Sequence, residues 1–253
     1  MRVIRSAIIA FSTYSRLPMP QVEWSDENRR YAMCFFPLVG AVIGALIWLW
    51  LNVCQWLELN ALIRGAVSAV VPLLVTGGIH MDGFMDTTDA LSSWQPKEKK
   101  LEILKDSHVG AFAVMGCASY MLLMAAFLSS VKANMGAQAG VCFVISRAMS
   151  AWALTVLRSA RPEGMLDKFA SAAQRRMVSV SGVLYALLCV AVWCLWSGWL
   201  ALICVAVTAL VTLYYRHMAY KQFGGVTGDL AGWYSQTLEI CLTAAVIMGG
   251  KLL

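Results

Sequence analysis

A chain of 253 residues in which 60% are hydrophobic and only 13% charged cannot clothe a soluble domain, for which roughly 45 to 50% and about 25% are usual. Mean hydropathy of +0.67 and long uncharged stretches throughout point instead to an all-α, polytopic integral membrane bundle, read as one transmembrane domain over 1–253. The net charge of +6 is no nucleic-acid footprint, because its placement follows membrane topology.

Residues 1–17 begin with Arg2 and Arg5 around a short apolar run. That run is too short for a signal-peptide core, so the segment reads as an amphipathic helix lying at the bilayer interface. Between Arg30 and Glu58 lie 27 uncharged residues, enough for a tilted first span even with Pro37 inside. Leu59–Ile79 is the second, with Arg64 placed to snorkel and Pro72 tolerated. Ser107–Val131 is the third and Asn134–Leu157 the fourth, the latter interrupted by Arg147. The 39 uncharged residues from Met177 to Tyr215 are too long for one helix. Trp196-Ser-Gly-Trp199 divides them into spans five and six. Leu230–Gly250, with Glu239 near its middle, makes about seven. The eight cysteines all fall in apolar stretches and form no CxxC pair, so they read as small hydrophobes.

Counting Lys and Arg orients these spans. With a cytoplasmic N-terminus, the inner segments hold 16 of the 20 basic residues. Only Arg64, Lys132 and Lys251 lie outside, and Arg147 lies within the membrane. This asymmetry predicts N-terminus in and C-terminus out.

Two polar stretches then fall on the cytoplasmic face. The first is Gly77-Gly-Ile-His-Met-Asp-Gly-Phe-Met-Asp-Thr-Thr-Asp-Ala90. On a helix its Asp82, Asp86 and Asp89, at i, i+4 and i+7, share one face. Three like charges there repel unless a cation joins them, and an all-oxygen set suits Mg2+. His80 adjoins them, while Gly77, Gly78 and Gly83 permit close approach of a ligand. A solvated surface loop is the plain alternative. The second stretch, Gly224-Gly-Val-Thr-Gly-Asp-Leu-Ala-Gly232, adds Asp229 and opens a helix N-terminus where the amides of Gly225, Thr227 and Gly228 could receive phosphate. Together they describe a metal-assisted phosphoryl site.

Lys105-Asp106-Ser107-His108-Val-Gly110 opens span three, with Lys105 or His108 as phosphate contacts, or as a snorkelling lysine and a helix cap. Arg147 and Glu239 could pair structurally, or could turn toward phosphate and metal respectively. The loop from Arg158 through Arg161 to Gly164, followed by Asp167 and Lys168, is chiefly a positive-inside loop, with Arg161 available to an anionic substrate.

At these residues the sequence resembles the cobalamin synthase family of ribazoletransferases. The resemblance rests on the run from Gly77 to Ala90, the Lys105 to Gly110 element, Arg147, the Gly-Gly-x-Thr-Gly-Asp of Gly224 to Asp229, Glu239, and a short N-terminal segment ending at Leu17-Pro18. Ser107 stands where proline is common in that family. The resemblance implies a Mg2+-dependent transfer in the bacterial inner membrane, with the acidic motifs facing the cytoplasm. Adenosylcobinamide-GDP and alpha-ribazole, or its 5'-phosphate, are the substrates, and GMP leaves. It further implies roles for Asp82, Asp86, Asp89, Asp229 and Glu239 at the metal. His80, Lys105 and Arg147 join these aspartates in catalysis, and Gly77, Gly78, Gly83, Arg161, Gly225, Thr227 and Gly228 hold ligand. Self-association, or association with other corrinoid-assembly enzymes, is compatible with it. Two alternatives differ in class. A CDP-alcohol phosphotransferase would carry Asp-x-x-Asp-Gly before Ala-Arg, an order absent here. A transporter would use Arg147 and Glu239 as a pathway.

Overall fold

The computed structural model describes residues 2–161 and 172–251. Asp167 and Lys168 therefore lie outside the described residues. Helices dominate, and the only bridge among described residues joins Ser159 to Val226. In chain order the helices are α1 (Arg2–Tyr14), α2 (Asp26–Arg29), α3 (Ala32–Trp56), α4 (Ala61–Thr76), α5 (Ile79–Ser92), α6 (Lys97–Ile103), α7 (Ala111–Ser130), α8 (Gly136–Val156), α9 (Ala172–Trp196), α10 (Gly198–Phe223) and α11 (Gly228–Lys251).

The amphipathic α1 buries Ser6, Ile9 and Ala10 against α3 and α2. Ser6 Oγ donates to Asn28 O at 2.6 Å. Its other face leaves Val3 and Ile4 exposed, as an interfacial helix requires.

Among the described residues, five segments are long and apolar enough to cross a bilayer: Ala32–Trp56, Ala111–Ser130, Ala133–Val156, Gln174–Trp196 and Gly198–Phe223. The two expected spans around Trp196-Ser-Gly-Trp199 are separated by Ser197 alone. A sixth crossing exists if Ala61–Thr76 and Ile79–Ser92 count as one bent span, but their axes differ by 98°. The expected second span, Leu59–Ile79, is thus shortened to the 16 residues of α4, about 24 Å at the α-helical rise. The expected seventh forms within α11 but does not reach the same apolarity. Its Ser235, Gln236, Glu239 and Thr243 are all buried, facing protein rather than lipid. The count of seven is therefore supported only to five or six.

Buried small residues set how closely the helices approach. Gly40 and Gly44 of α3 leave no space for a Cβ against the backbone of Phe143 and Gly140 on α8, the small-residue contact that lets membrane helices pack backbone to backbone. Arg64 reaches Ser129 O through Nε at 3.1 Å and through Nη2. It thereby places its positive charge at the C-terminal end of α7, where the helix dipole favours it.

Two left-handed residues make the break between α4 and α5. Gly77 has φ +66 and Gly78 φ +83, a region glycine enters without Cβ strain. The turn swings α5 out of the α4 axis and lays it across the start of α11. There a Cβ on Gly83 would stand 2.7 Å from Asp229 O, and one on Gly232 would stand 2.9 Å from His80 O. Two glycines therefore bring both polar sequence stretches into backbone contact at one end of the bundle.

Candidate phosphoryl-transfer site

The i, i+4, i+7 face predicted for Asp82, Asp86 and Asp89 forms on α5. Asp82 is exposed and the other two are half-buried. Asp86 is pushed up to about 6, first by burial and then by Asp82, Asp229 and Asp89. The mutual effect of these carboxylates draws one anionic cluster from both stretches.

Asp89, expected at the metal with the other two, has partners of its own. Its Oδ2 accepts from Gly110 N at 2.7 Å and its Oδ1 from Ala113 N at 2.8 Å. It thus caps α7 from 21 residues upstream, satisfying amides a helix start leaves open. The local cap expected from Asp106 and Ser107 is not used. Asp106 instead accepts from His108 N at 3.0 Å and meets His108 Nδ1 at 2.6 Å. Lys105 is exposed beyond the end of α6.

The loop before α11 is braced by its neighbour. Val226 N donates to Arg158 O at 2.9 Å and Ala160 N to Val226 O at 3.0 Å. Arg158 Nη2 donates to Gly224 O at 2.8 Å. Gly225, expected to offer its amide to phosphate, donates it to Ala219 O at 3.2 Å. Thr227 Oγ1 accepts from Leu230 N at 3.2 Å, an N-cap role. Gly228 is exposed at the helix start, and among the described residues nothing lies within 4 Å of where its Cβ would stand. Arg161 Nη2 bonds Leu101 O at 3.0 Å, and its charge acts on Asp229.

Beneath this surface Arg147 and Glu239 are both 0% exposed, with Nη1 to Oε1 at 2.5 Å. Glu239 also accepts from Ser146 Oγ at 3.1 Å and Tyr120 OH at 3.3 Å. The two are therefore partners, as the structural reading of this pair expected. Arg147 Nε and Nη2 and His80 Nδ1 are buried without a hydrogen-bond partner among the described residues. His80 lies against Phe36, ring centroids 5.3 Å apart. Burial, reinforced by Arg147, pushes it down to about 3. His80 is thus a neutral, weakly basic ring.

Among the described residues no group of three His, Cys, Asp or Glu side chains is arranged to hold a metal ion. The chemistry of Asp82, Asp86 and Asp229 still suits Mg2+. All donors are hard oxygens, and this ion commonly takes one or two carboxylates together with water and substrate phosphate.

Two basic residues carried no site role in the sequence reading, which counted them only toward topology. Lys100 is buried with Nζ on Gln222 Oε1 at 2.6 Å, tying α6 to α10. Arg16 lines a cavity with Gly77, Gly78 and Asp82. Its position between the end of α1 and Leu17-Pro18 was the available signal.

The cobalamin-5-phosphate synthase family profile matches residues 6–247. An adenosylcobinamide-GDP ribazoletransferase of Lachnoclostridium phytofermentans is 40% identical over 248 residues, covering 98% of this chain and 95% of the relative. Proteins of the same description from Desulfitobacterium hafniense and Pseudomonas putida are each 31% identical. The first match covers 92% of both chains, and the second covers 96% of this chain and 98% of the relative. No solved structure matches the chain significantly. Full-length similarity and the gathered motif residues place this chain in the cobalamin-5-phosphate synthase family.

Proposed function

We infer that this protein transfers the cobinamide phosphate of adenosylcobinamide-GDP to alpha-ribazole or alpha-ribazole 5'-phosphate. The ribose 3'-hydroxyl oxygen attacks the cobinamide-linked phosphorus and the bond to GMP breaks. GMP keeps the electron pair, and adenosylcobalamin or its 5'-phosphate forms. The observation that carries this reading is the family match across 6–247, which includes every motif residue gathered at the α5 and α11 crossing.

Asp82, Asp86 and Asp229 would hold Mg2+, which when bound neutralises the diphosphate and the charge developing on GMP. A carboxylate oxygen of this face takes the hydroxyl proton. Arg161, near Asp229, attracts the anionic substrate, and Gly228 leaves its approach open. Asp89 positions α7 against α5, and the Arg147 and Glu239 pair fixes the bundle beneath.

A cytoplasmic site agrees with both the positive-inside count and a nucleotide substrate. The test is incubation of purified protein, in detergent or lipid, with adenosylcobinamide-GDP, alpha-ribazole and Mg2+. A cobalamin product and GMP in equal amounts are expected. Their absence from folded protein would overturn the assignment.

A further inference from the structure

Arg16 leaves α1 on a fixed path, since its N–H donates to Val75 O in the last turn of α4 at 2.8 Å. Its side chain then lies over Gly77, where a Cβ would stand 2.5 Å from Nε and 2.9 Å from Cγ. Gly77 therefore serves twice: its φ of +66 permits the turn, and its missing side chain makes room for the arginine. Arg16, Gly77, Gly78 and Asp82 border one open cavity of about 590 Å³ whose remaining wall is mostly apolar. Among the described residues no carboxylate or carbonyl takes the Arg16 guanidinium as a partner. An arginine left free beside an acidic cluster offers up to five N–H donors in a fork suited to phosphate oxygens.

We propose that Arg16 is a substrate-binding residue that grips non-bridging oxygens of the donor's diphosphate in this cavity. The inference rests on the transfer reaction above. The aspartate face alone repels a diphosphate, and a cation bound to the carboxylates offsets only part of that charge. Arg16 supplies a protein charge on the lining of the same cavity. When the phosphorus-oxygen bond to GMP breaks, charge rises on the departing phosphate, and a guanidinium held there stabilises it.

The experiment compares wild type, Arg16→Gln and Arg16→Lys as full-length protein in detergent. KM is measured separately for adenosylcobinamide-GDP and alpha-ribazole, and inhibition by GMP is measured alongside. Losing a charge-assisted bond predicts that Arg16→Gln raises donor KM about tenfold or more and weakens GMP inhibition comparably. Alpha-ribazole KM should stay within about twofold. Arg16→Lys should fall between, because an ammonium keeps the charge and loses the fork. The side chain is exposed and the Val75 bond uses backbone, so both variants should fold. If Arg16→Gln does not fold, GMP inhibition of Arg16→Lys decides, and wild-type strength there would refute the proposal. A wild type that forms no cobalamin would overturn the transfer itself. An active wild type beside an Arg16→Gln protein with unchanged donor KM and GMP inhibition would overturn only the role of Arg16.

Discussion

Arg147 on α8 and Glu239 on α11 hold each other at 2.5 Å with neither side chain reaching solvent. Removing one partner leaves an uncompensated buried charge, which costs about 3–5 kcal/mol. Arg147→Met and Glu239→Leu alone should each lower the yield of monodisperse protein and its Tm. Combined, they should recover much of both. Well-folded Arg147→Met protein with selectively lost turnover would instead put the arginine on substrate, through the Nε and Nη2 groups that lack partners.

The cap that Asp89 provides to Gly110 and Ala113 predicts a contrast between two substitutions. Asparagine is as good a cap as aspartate, whereas alanine loses about 1 kcal/mol. Asp89→Asn should therefore keep Tm and most activity, and Asp89→Ala should lose Tm by a few degrees. A hundredfold activity loss in folded Asp89→Asn would show that the charge itself acts at the reaction centre.

The aspartate spacing was legible because helical periodicity fixes which side chains share a face, and α5 supplied the helix. The identity of the α7 cap was not, since Asp89 acts across 21 residues and local pattern points to Asp106 and Ser107. The Trp196 to Trp199 turn was readable from interfacial indoles and glycine. The bend after Thr76 was less so. Gly77 and Gly78 read equally well as a ligand turn or a helix end, and only their paired positive φ values reorient the following helix by 98°. Glu239 and its polar neighbours lower the apolarity of α11, so a hydropathy count cannot tell a buried central helix from a weak span. Arg16 escaped because a lone basic residue near the N-terminus looks like topology.

Orientation is tested by reporter fusions. Those after Glu58 and Lys132 should report the outside, and those after Lys97 and Lys221 the cytoplasm. A periplasmic signal at Lys97 would separate the aspartate face from a cytoplasmic nucleotide and defeat the proposed transfer.

Asp86 predicts a pH-dependent stability effect in metal-free protein. Its carboxyl is raised to about 6 from an ordinary value near 3.9. The folded state thus favours the protonated form, and the resulting stability is present below about pH 4 and lost as pH rises through about 6. In EDTA, Asp86→Asn should melt a few degrees above wild type at pH 7.5, for about 1 kcal/mol after solvent screening of a half-exposed group. The two should converge below pH 4. Parallel melting curves across that range would remove the repulsion argument.

Asp82 is the exposed member of the face and borders the same cavity as Arg16, so it is the carboxylate most accessible to substrate-bound cation. Asparagine preserves its size and removes its charge. If that charge holds Mg2+ against the diphosphate, about 3 kcal/mol of transition-state stabilisation disappears and turnover falls roughly a hundredfold. The fold should survive, because Asp82 also contributes to the repulsion on Asp86 and its loss relieves that strain. Turnover is measured across a Mg2+ titration, with Tm as the control for folding. A rightward shift in the Mg2+ requirement, beside unchanged or raised Tm in EDTA, marks Asp82 as a ligand. Near-normal turnover with the wild-type Mg2+ dependence would return the α5 face to a solvated helix surface.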